Sequence, residues 1–250
     1  MRITVNFLSD APVFLPFSLN EILQGFIYWN MEECLAEKIH SKGFLWEKRG
    51  FKLFTFSRIA GGYEKRPGGF AFIPPFSLVI SSPKIEILEG LAEHLFKAGQ
   101  VRLGNSLVYI ESVNVHTRPE FQEQALIKML SPVTTYSTLQ TRDGKPKVYY
   151  YSPLESEFAE LIKKNLIKKY EILNEQDGSH LELVIEPVGI KKQEEKIIPF
   201  KGGWVKGWMG KYRLSGSPEL IEVGYDAGLG SKNSQGFGCF ELVKVIRRNL

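Results

Sequence analysis

Phe76-Ser-Leu-Val-Ile-Ser81, then Ser82-Pro83, then Ile85-Glu-Ile-Leu-Glu-Gly-Leu-Ala-Glu-His-Leu-Phe-Lys-Ala98 is the stretch that decides the fold. Its first six residues have strand composition, Pro83 stands at a helix start, and Ile85–Ala98 carries apolar residues at helical spacing. Ser106–Val115 follows and alternates like a closing strand. Upstream, Arg2–Phe7 reads as a strand, Ser18-Leu19-Asn20 opens a helical stretch toward Glu37, and Phe51–Phe56 supplies another strand. The first half is therefore β-α-β-β-α-β.

The second half repeats that order less cleanly. Ala125–Thr138 holds a strand around the turn-forming Ser131-Pro132, and a helix runs from about Leu154 to Tyr170 with Pro153 at its first turn. Leu181–Pro187 and Trp204–Leu214 read as strands. Ser217-Pro218-Glu219 caps a short helix through Val223, and Phe237–Ile246 is the last strand. The expected class is α+β, with two ferredoxin-like units in tandem, residues 1–123 and 124–250. A fold of this kind hosts enzymes, metal carriers and RNA binders, so function must come from the residues.

The chain has 250 residues, 43% of them hydrophobic and 24% charged. That composition excludes disorder and a disulfide scaffold. No apolar run approaches the ~20 residues of a membrane span, and Met1-Arg2 leads straight into a strand rather than an export signal. Cys34 and Cys239 are expected to be free thiols in a reducing cytoplasm. Four aspartates and four isolated histidines offer no pair spaced for two ions and no zinc motif. Neither a metal nor a cofactor is expected, and no Gly-x-Ser-x-Gly marks a serine hydrolase.

The net charge of +4 lies entirely in the second half. From Lys196 to Pro218 there is no acid, and Lys196, Lys201, Lys206, Lys211 and Arg213 interleave with Trp204, Trp208 and Tyr212. That pattern suits a phosphate backbone with bases to stack against better than it suits a plain exposed strand pair. Gly224 to Gly238 holds five glycines in fifteen residues. It lacks the lysine placement of a phosphate-binding P-loop and the third glycine of a dinucleotide fingerprint, and it leads into a strand. One reading is a tight turn with bulges. The other is a loop whose exposed N–H groups and Lys232 hold phosphate oxygens.

Four stretches together resemble the repeat-associated RNA-binding superfamily of CRISPR systems, and within it the endoribonucleases that process precursor CRISPR RNA. They are Gly228-Leu-Gly-Ser-Lys-Asn-Ser-Gln-Gly-Phe-Gly238, Leu23-Gln-Gly-Phe-Ile-Tyr28, Ile39-His-Ser-Lys-Gly-Phe44 and Phe51-Lys-Leu-Phe-Thr-Phe-Ser57. The resemblance spans the chain from Met1 to its last strand. It implies a cytoplasmic, tandem ferredoxin-like protein that binds a CRISPR repeat and cuts it without metal. The ribose 2′-OH attacks the adjacent phosphate, leaving a 2′,3′-cyclic phosphate and a 5′-OH. It also admits a non-catalytic RNA-binding subunit of an effector complex. Other effector proteins and a second copy of the chain are further candidate partners.

The resemblance assigns catalysis to His40, whose side-chain type keeps both protonation forms accessible near neutrality, with Tyr28 and Lys52 assisting. Lys48 and Arg49 are substitutes for the phosphate contact, because twelve residues separate His40 from Lys52. RNA contacts are expected from Lys201, Lys206, Lys211, Arg213 and, in the glycine-rich loop, Gly228, Gly230, Lys232, Asn233, Gly236 and Gly238. One difficulty is geometric. A continuous helix would hold Tyr28 and His40 roughly 18 Å apart, so either the helix breaks near Asn30-Met31-Glu32 or Tyr28 is only structural.

Overall fold

The computed structural model describes residues 1–141 and 143–245. The first half runs β1 (Arg2–Leu8), β2 (Val13–Pro16), α1 (Leu19–Trp29), α2 (Glu33–Ser41), β3 (Phe44–Trp46), β4 (Arg49–Phe51) and β5 (Thr55–Phe56). It continues through β6 (Ala60–Arg66), β7 (Gly69–Ser81), α3 (Ile85–Ala98), β8 (Gln100–Leu103) and β9 (Ser106–Val115). β1 lies between β7 and β9, antiparallel to both, while β5 and β6 also pair with β7. Ile3, Val5 and Phe7 turn their side chains into the core, where α1 contributes Leu23, Phe26 and Ile27 and α3 contributes Ile87, Leu88, Leu91 and Leu95. The alternation in β1 and the helical period in α3 bury one face of each. Phe7 stacks on Phe76 at 5.3 Å and meets Phe26 edge-on at 5.7 Å, tying sheet to helix.

The second half runs β10 (Gln124–Met129), β11 (Tyr136–Gln140), β12 (Pro146–Tyr150), α4 (Ser156–Asn174) and β13 (Leu183–Val188). Then come β14 (Glu195–Phe200), β15 (Gly203–Trp208), β16 (Lys211–Gly216), α5 (Pro218–Ala227) and β17 (Phe240–Val245). Its sheet has the order β13-β16-β10-β17. The first and third strands are central and the second and fourth flank them, as in the first half. Two ferredoxin-like units therefore stand in tandem. α4 and α5 pack Phe158, Ile162, Leu166, Leu220 and Ile221 against Ile127, Tyr212, Leu214 and Phe240.

Several expected elements are divided differently. The stretch from Ser18 toward Glu37 is two helices, parted at Asn30–Glu32. Phe51–Phe56 is not one strand: Leu53 takes φ +51 between β4 and β5, with Phe51 and Leu53 buried against Ala227. The strand expected over Ala125–Thr138 ends at Met129, because the Ser131-Pro132 turn redirects the chain before β11. Trp204–Leu214 is two strands, broken at Gly210 with φ +102. Only β16 joins the main sheet, with β10 between it and β17, so Trp204–Leu214 and the strand after Phe237 are not neighbours in it. β15 pairs with β14 instead. Ile246 lies outside the described residues.

A buried arginine at the start of the chain joins the halves. Arg2 donates from Nη1 to the Phe240 carbonyl at 2.7 Å and from Nη2 to the Tyr225 carbonyl at 2.5 Å. Its guanidinium carbon stands 3.5 Å from the Tyr225 ring centroid. Only a planar, multi-donor cation satisfies carbonyls and an aromatic face at once. Cys34 is exposed and Cys239 buried, and both are free. No described helix is long and apolar enough to cross a membrane.

Candidate functional site

The break between α1 and α2 folds the chain back on itself. Asn30 closes α1, its side-chain amide donating to the Phe26 carbonyl at 2.7 Å, and α2 starts three residues later. His40, in the last turn of α2, thereby returns to Tyr28. The two rings meet edge to face, with centroids 5.4 Å apart. Lys52 completes the group: the turn after β4 brings its Nζ to the His40 carbonyl at 2.8 Å. Three residues spaced twelve apart converge on one spot.

The three differ in environment. His40 is exposed, Tyr28 and Lys52 half-buried. Burial pushes the Tyr28 hydroxyl up to about 12, so it stays protonated near neutrality. Burial lowers the Lys52 ammonium, which moves it toward the range where it can release a proton. Tyr28 and His40 line an open groove of about 920 Å³, whose wall includes Gln24, Trp29 and Lys201. Lys201 is held there by its backbone N–H, which donates to Glu21 at 2.7 Å.

The glycine-rich loop borders this site through α1. Asn20, Gln24 and Tyr28 recur every four residues along one helix face. Asn20 donates to the Gln235 carbonyl at 2.7 Å, and Gln24 to the Ser234 carbonyl at 2.7 Å. Thr55 adds a bond to the Phe237 carbonyl at 2.9 Å. From the other side, Lys169 of α4 reaches the Gly228 carbonyl at 2.7 Å and Asn233 Oδ1 at 2.8 Å. Burial pushes that ammonium down to about 7. Sequence reasoning missed Lys169, because a lysine on a helix reads as solvated until the helix is known to be covered there.

These contacts revise the expectation for the loop. Its N–H groups were expected to be exposed, yet those of Gly228, Leu229, Ser231, Gly236 and Gly238 all bond carbonyls of the protein. Gly228, Gly230, Gly236 and Gly238 are buried. They are glycine because the chain packs too closely for a side chain. At Gly238 a Cβ would lie 2.0 Å from the Leu229 carbonyl oxygen. Asn233 is likewise a staple, donating to the carbonyls of Leu229 and Phe237. Among the described residues the Lys232 ammonium has no hydrogen-bond or acidic partner, and it stands 5.0 Å from the Tyr136 ring centroid. Gly230→Val is expected to lower stability by ~1–3 kcal/mol, since Gly230 has φ +66 and its Cβ would stand 2.5 Å from the Thr134 oxygen. Urea denaturation checks this, and an unchanged midpoint would mean the loop yields freely.

The basic window of the second half does not form one track. Lys206 pairs with Glu195 at 2.7 Å and Arg213 approaches Glu186 at 3.8 Å. Both acids lie outside the acid-free run, Glu195 immediately before it on β14 and Glu186 on β13. Lys211 is exposed on β16 and does not line the His40 groove. Only Lys201 of this group reaches that groove. Lys48 sits exposed in the β3–β4 turn, whereas Arg49 turns toward a second, smaller pocket shared with Lys52. Among the described residues no cluster of His, Cys, Asp and Glu could hold a metal ion.

Comparison with known proteins decides the family. The family described as CRISPR associated protein Cas6, C-terminal, matches residues 116–242. A CRISPR-associated endoribonuclease Cas6 of Pyrococcus furiosus is 30% identical over 240 residues, covering 95% of this chain and 86% of the relative. This chain belongs to the Cas6 family. A second Cas6 relative, the CRISPR-associated endoribonuclease Cas6 1 of Methanocaldococcus jannaschii, is 29% identical over 246 residues, covering 95% of this chain and 91% of its own. Among solved structures, one titled CRISPR associated protein Cas6 superposes with a TM-score of 0.80 at 27% identity, covering 98% of this chain and 99% of the other. The Cas6 likeness thus spans both ferredoxin-like units, the His40 groove and the glycine-rich loop.

Proposed function

We propose that this chain cuts precursor CRISPR RNA within the repeat, without a metal ion, leaving a 2′,3′-cyclic phosphate and a 5′-OH. The observation that carries the reading is the convergence of Tyr28, His40 and Lys52, the first two lining an open groove and Lys52 bonded to the His40 carbonyl. Self-cleavage of RNA needs a base for the 2′-OH, an acid for the departing 5′-oxygen, and positive charge beside the phosphorane. His40, exposed to the groove, accepts the 2′-OH proton in its neutral form. As the new P–O2′ bond forms, the P–O5′ bond breaks and the 5′-oxygen leaves with a proton. Lys52 stands beside His40 as the cation for the phosphorane and as a proton donor. Tyr28, protonated throughout, fixes the imidazole by its ring and offers a hydroxyl to a phosphate oxygen.

Membership in a family of named endoribonucleases supports this reading, and the repeat RNA is its substrate and partner. The test is direct: a 5′-labelled repeat RNA is incubated with the protein in excess chelator and resolved on a gel. The expected result is one cut, whose 5′ fragment gains mobility only after acid opens a cyclic phosphate. Cutting lost in chelator and restored by divalent ion would overturn the mechanism. Tight binding without cutting in any buffer would make the chain an RNA-holding subunit.

A further inference from the structure

A pocket of about 230 Å³ lies between the halves, walled by the chain around Arg49–Phe54, by α4 and by the glycine-rich loop. Arg49, Lys52, Lys169 and Lys232 line it, and no aspartate or glutamate does. Lys169 is occupied by the loop. Arg49 and Lys232 have no acidic partner among the described residues. Burial lowers the Lys232 ammonium, the cost of a cation withdrawn from water without a counter-charge.

Cations alone would fit any anion, but the pocket also holds unanswered acceptors. Asn165, one turn from Lys169 on α4, is 8% exposed, and its Oδ1 has no hydrogen-bond partner. Gln235 Oε1, from the loop on the opposite wall, is also buried and unpartnered. Orphaned buried acceptors are costly and rare, so they point to a missing donor. Inorganic phosphate offers at most two hydroxyl donors, both on the anion itself, and nothing to stack on an aromatic ring. A ribonucleotide brings phosphate oxygens together with hydroxyl and amino donors, and the Tyr136 ring in the wall offers its base a stacking face. The volume is below the roughly 300 Å³ at which drug-sized sites begin, so one nucleotide is the most it admits.

We propose that this pocket takes a single unpaired nucleotide of the bound RNA, its phosphate at Arg49 and Lys232 and its hydroxyl or amino donors on Asn165 and Gln235. The inference rests on the reading that RNA is the substrate. Lys52 belongs both to this wall and to the His40 group, so the captured nucleotide sits beside the cut. Holding it there fixes the register of the scissile phosphate. A paired nucleotide must leave its helix to enter.

The test is a scan of single 2′-deoxy substitutions along the repeat RNA, with binding measured in a His40→Ala background so that the RNA stays intact. One position near the cut is expected to lose about tenfold in affinity when deoxy. The same substitution is expected to have no further effect on Asn165→Leu, or on Gln235→Met if the first variant is poorly folded. Asn165→Leu is also expected to keep or raise the urea midpoint, because removing an orphaned acceptor relieves a cost. A scan that is flat with RNA still bound overturns the pocket assignment alone. So does a deoxy effect that persists undiminished in both variants. Asn165-dependent binding of AMP, CMP, GMP or UMP alone, with a flat scan, would assign the pocket to a free nucleotide instead. Absence of any binding to repeat RNA would overturn the functional reading and this one together.

Discussion

His40→Ala is expected to abolish cleavage of repeat RNA in chelator and to leave the RNA bound. The expected loss in single-turnover rate is about 10²–10⁴-fold, the range that positioned proton transfer supplies. Affinity is expected to fall by less than about tenfold, ~1.4 kcal/mol. His40 is exposed, and its described side-chain interaction is the edge-on contact with Tyr28, so the variant should stay folded to within about 0.5 kcal/mol. A loss of rate therefore reports chemistry rather than unfolding. Tyr28→Phe keeps the packing against His40 and Phe54, at 5.4 and 5.6 Å, and removes only a hydroxyl. Its rate should fall far less. Full activity in His40→Ala would move the chemistry away from this groove.

Lys169→Met is expected to destabilise the protein by about 2 kcal/mol and to weaken RNA binding through the loop. Methionine matches the length of the lysine but leaves the Gly228 carbonyl and Asn233 Oδ1 without their donor. An orphaned buried acceptor costs ~1–3 kcal/mol, and relief of the buried amine's desolvation offsets part of that. The pH dependence carries a second signature. In the folded protein burial brings the Lys169 ammonium down to about 7, whereas an unfolded lysine keeps its proton to ~10.4. Between those values the unfolded chain binds more protons, so this group makes stability rise with pH across the window. The methionine variant should lose that rise. Urea denaturation from pH 6.5 to 9.5 compares the two slopes, and identical slopes would mean Lys169 titrates as an exposed lysine does.

Where the chain's own period is strong, its structure was legible. β1, α3 and β9 stand where alternation and helical spacing put them, because each buries a single face. β6, Ala60-Gly-Gly-Tyr-Glu-Lys-Arg66, is exposed along its whole length and left no alternation to read. The β14–β15 hairpin was hidden for another reason. Its turn residues, Lys201 and Gly202, lie inside the run read as one basic window, and both take positive φ. The candidate residues Tyr28, His40 and Lys52 came from a family likeness, and helix geometry offered a break near Asn30 as one of two ways to accommodate them. Asn165 and Lys169 were beyond reach. Their significance depends on which face of α4 is covered by a loop 59 to 64 residues beyond Lys169, and nothing in the local pattern encodes that.

The stitching of the glycine-rich loop onto α1 has a consequence for how the molecule comes into being. Asn20 and Gln24 wait for partners 215 and 210 residues further along the chain. Arg2 waits for Phe240, 238 residues on. During synthesis, at roughly 5–20 residues per second, the helix carrying Tyr28 leaves the ribosome long before the segment that braces it. Contacts of such range close late and slowly. A nascent chain therefore carries His40 and Lys52 on a helix pair and turn whose brace is not yet made, and α1 gains its partners only once the glycine-rich loop has been synthesised.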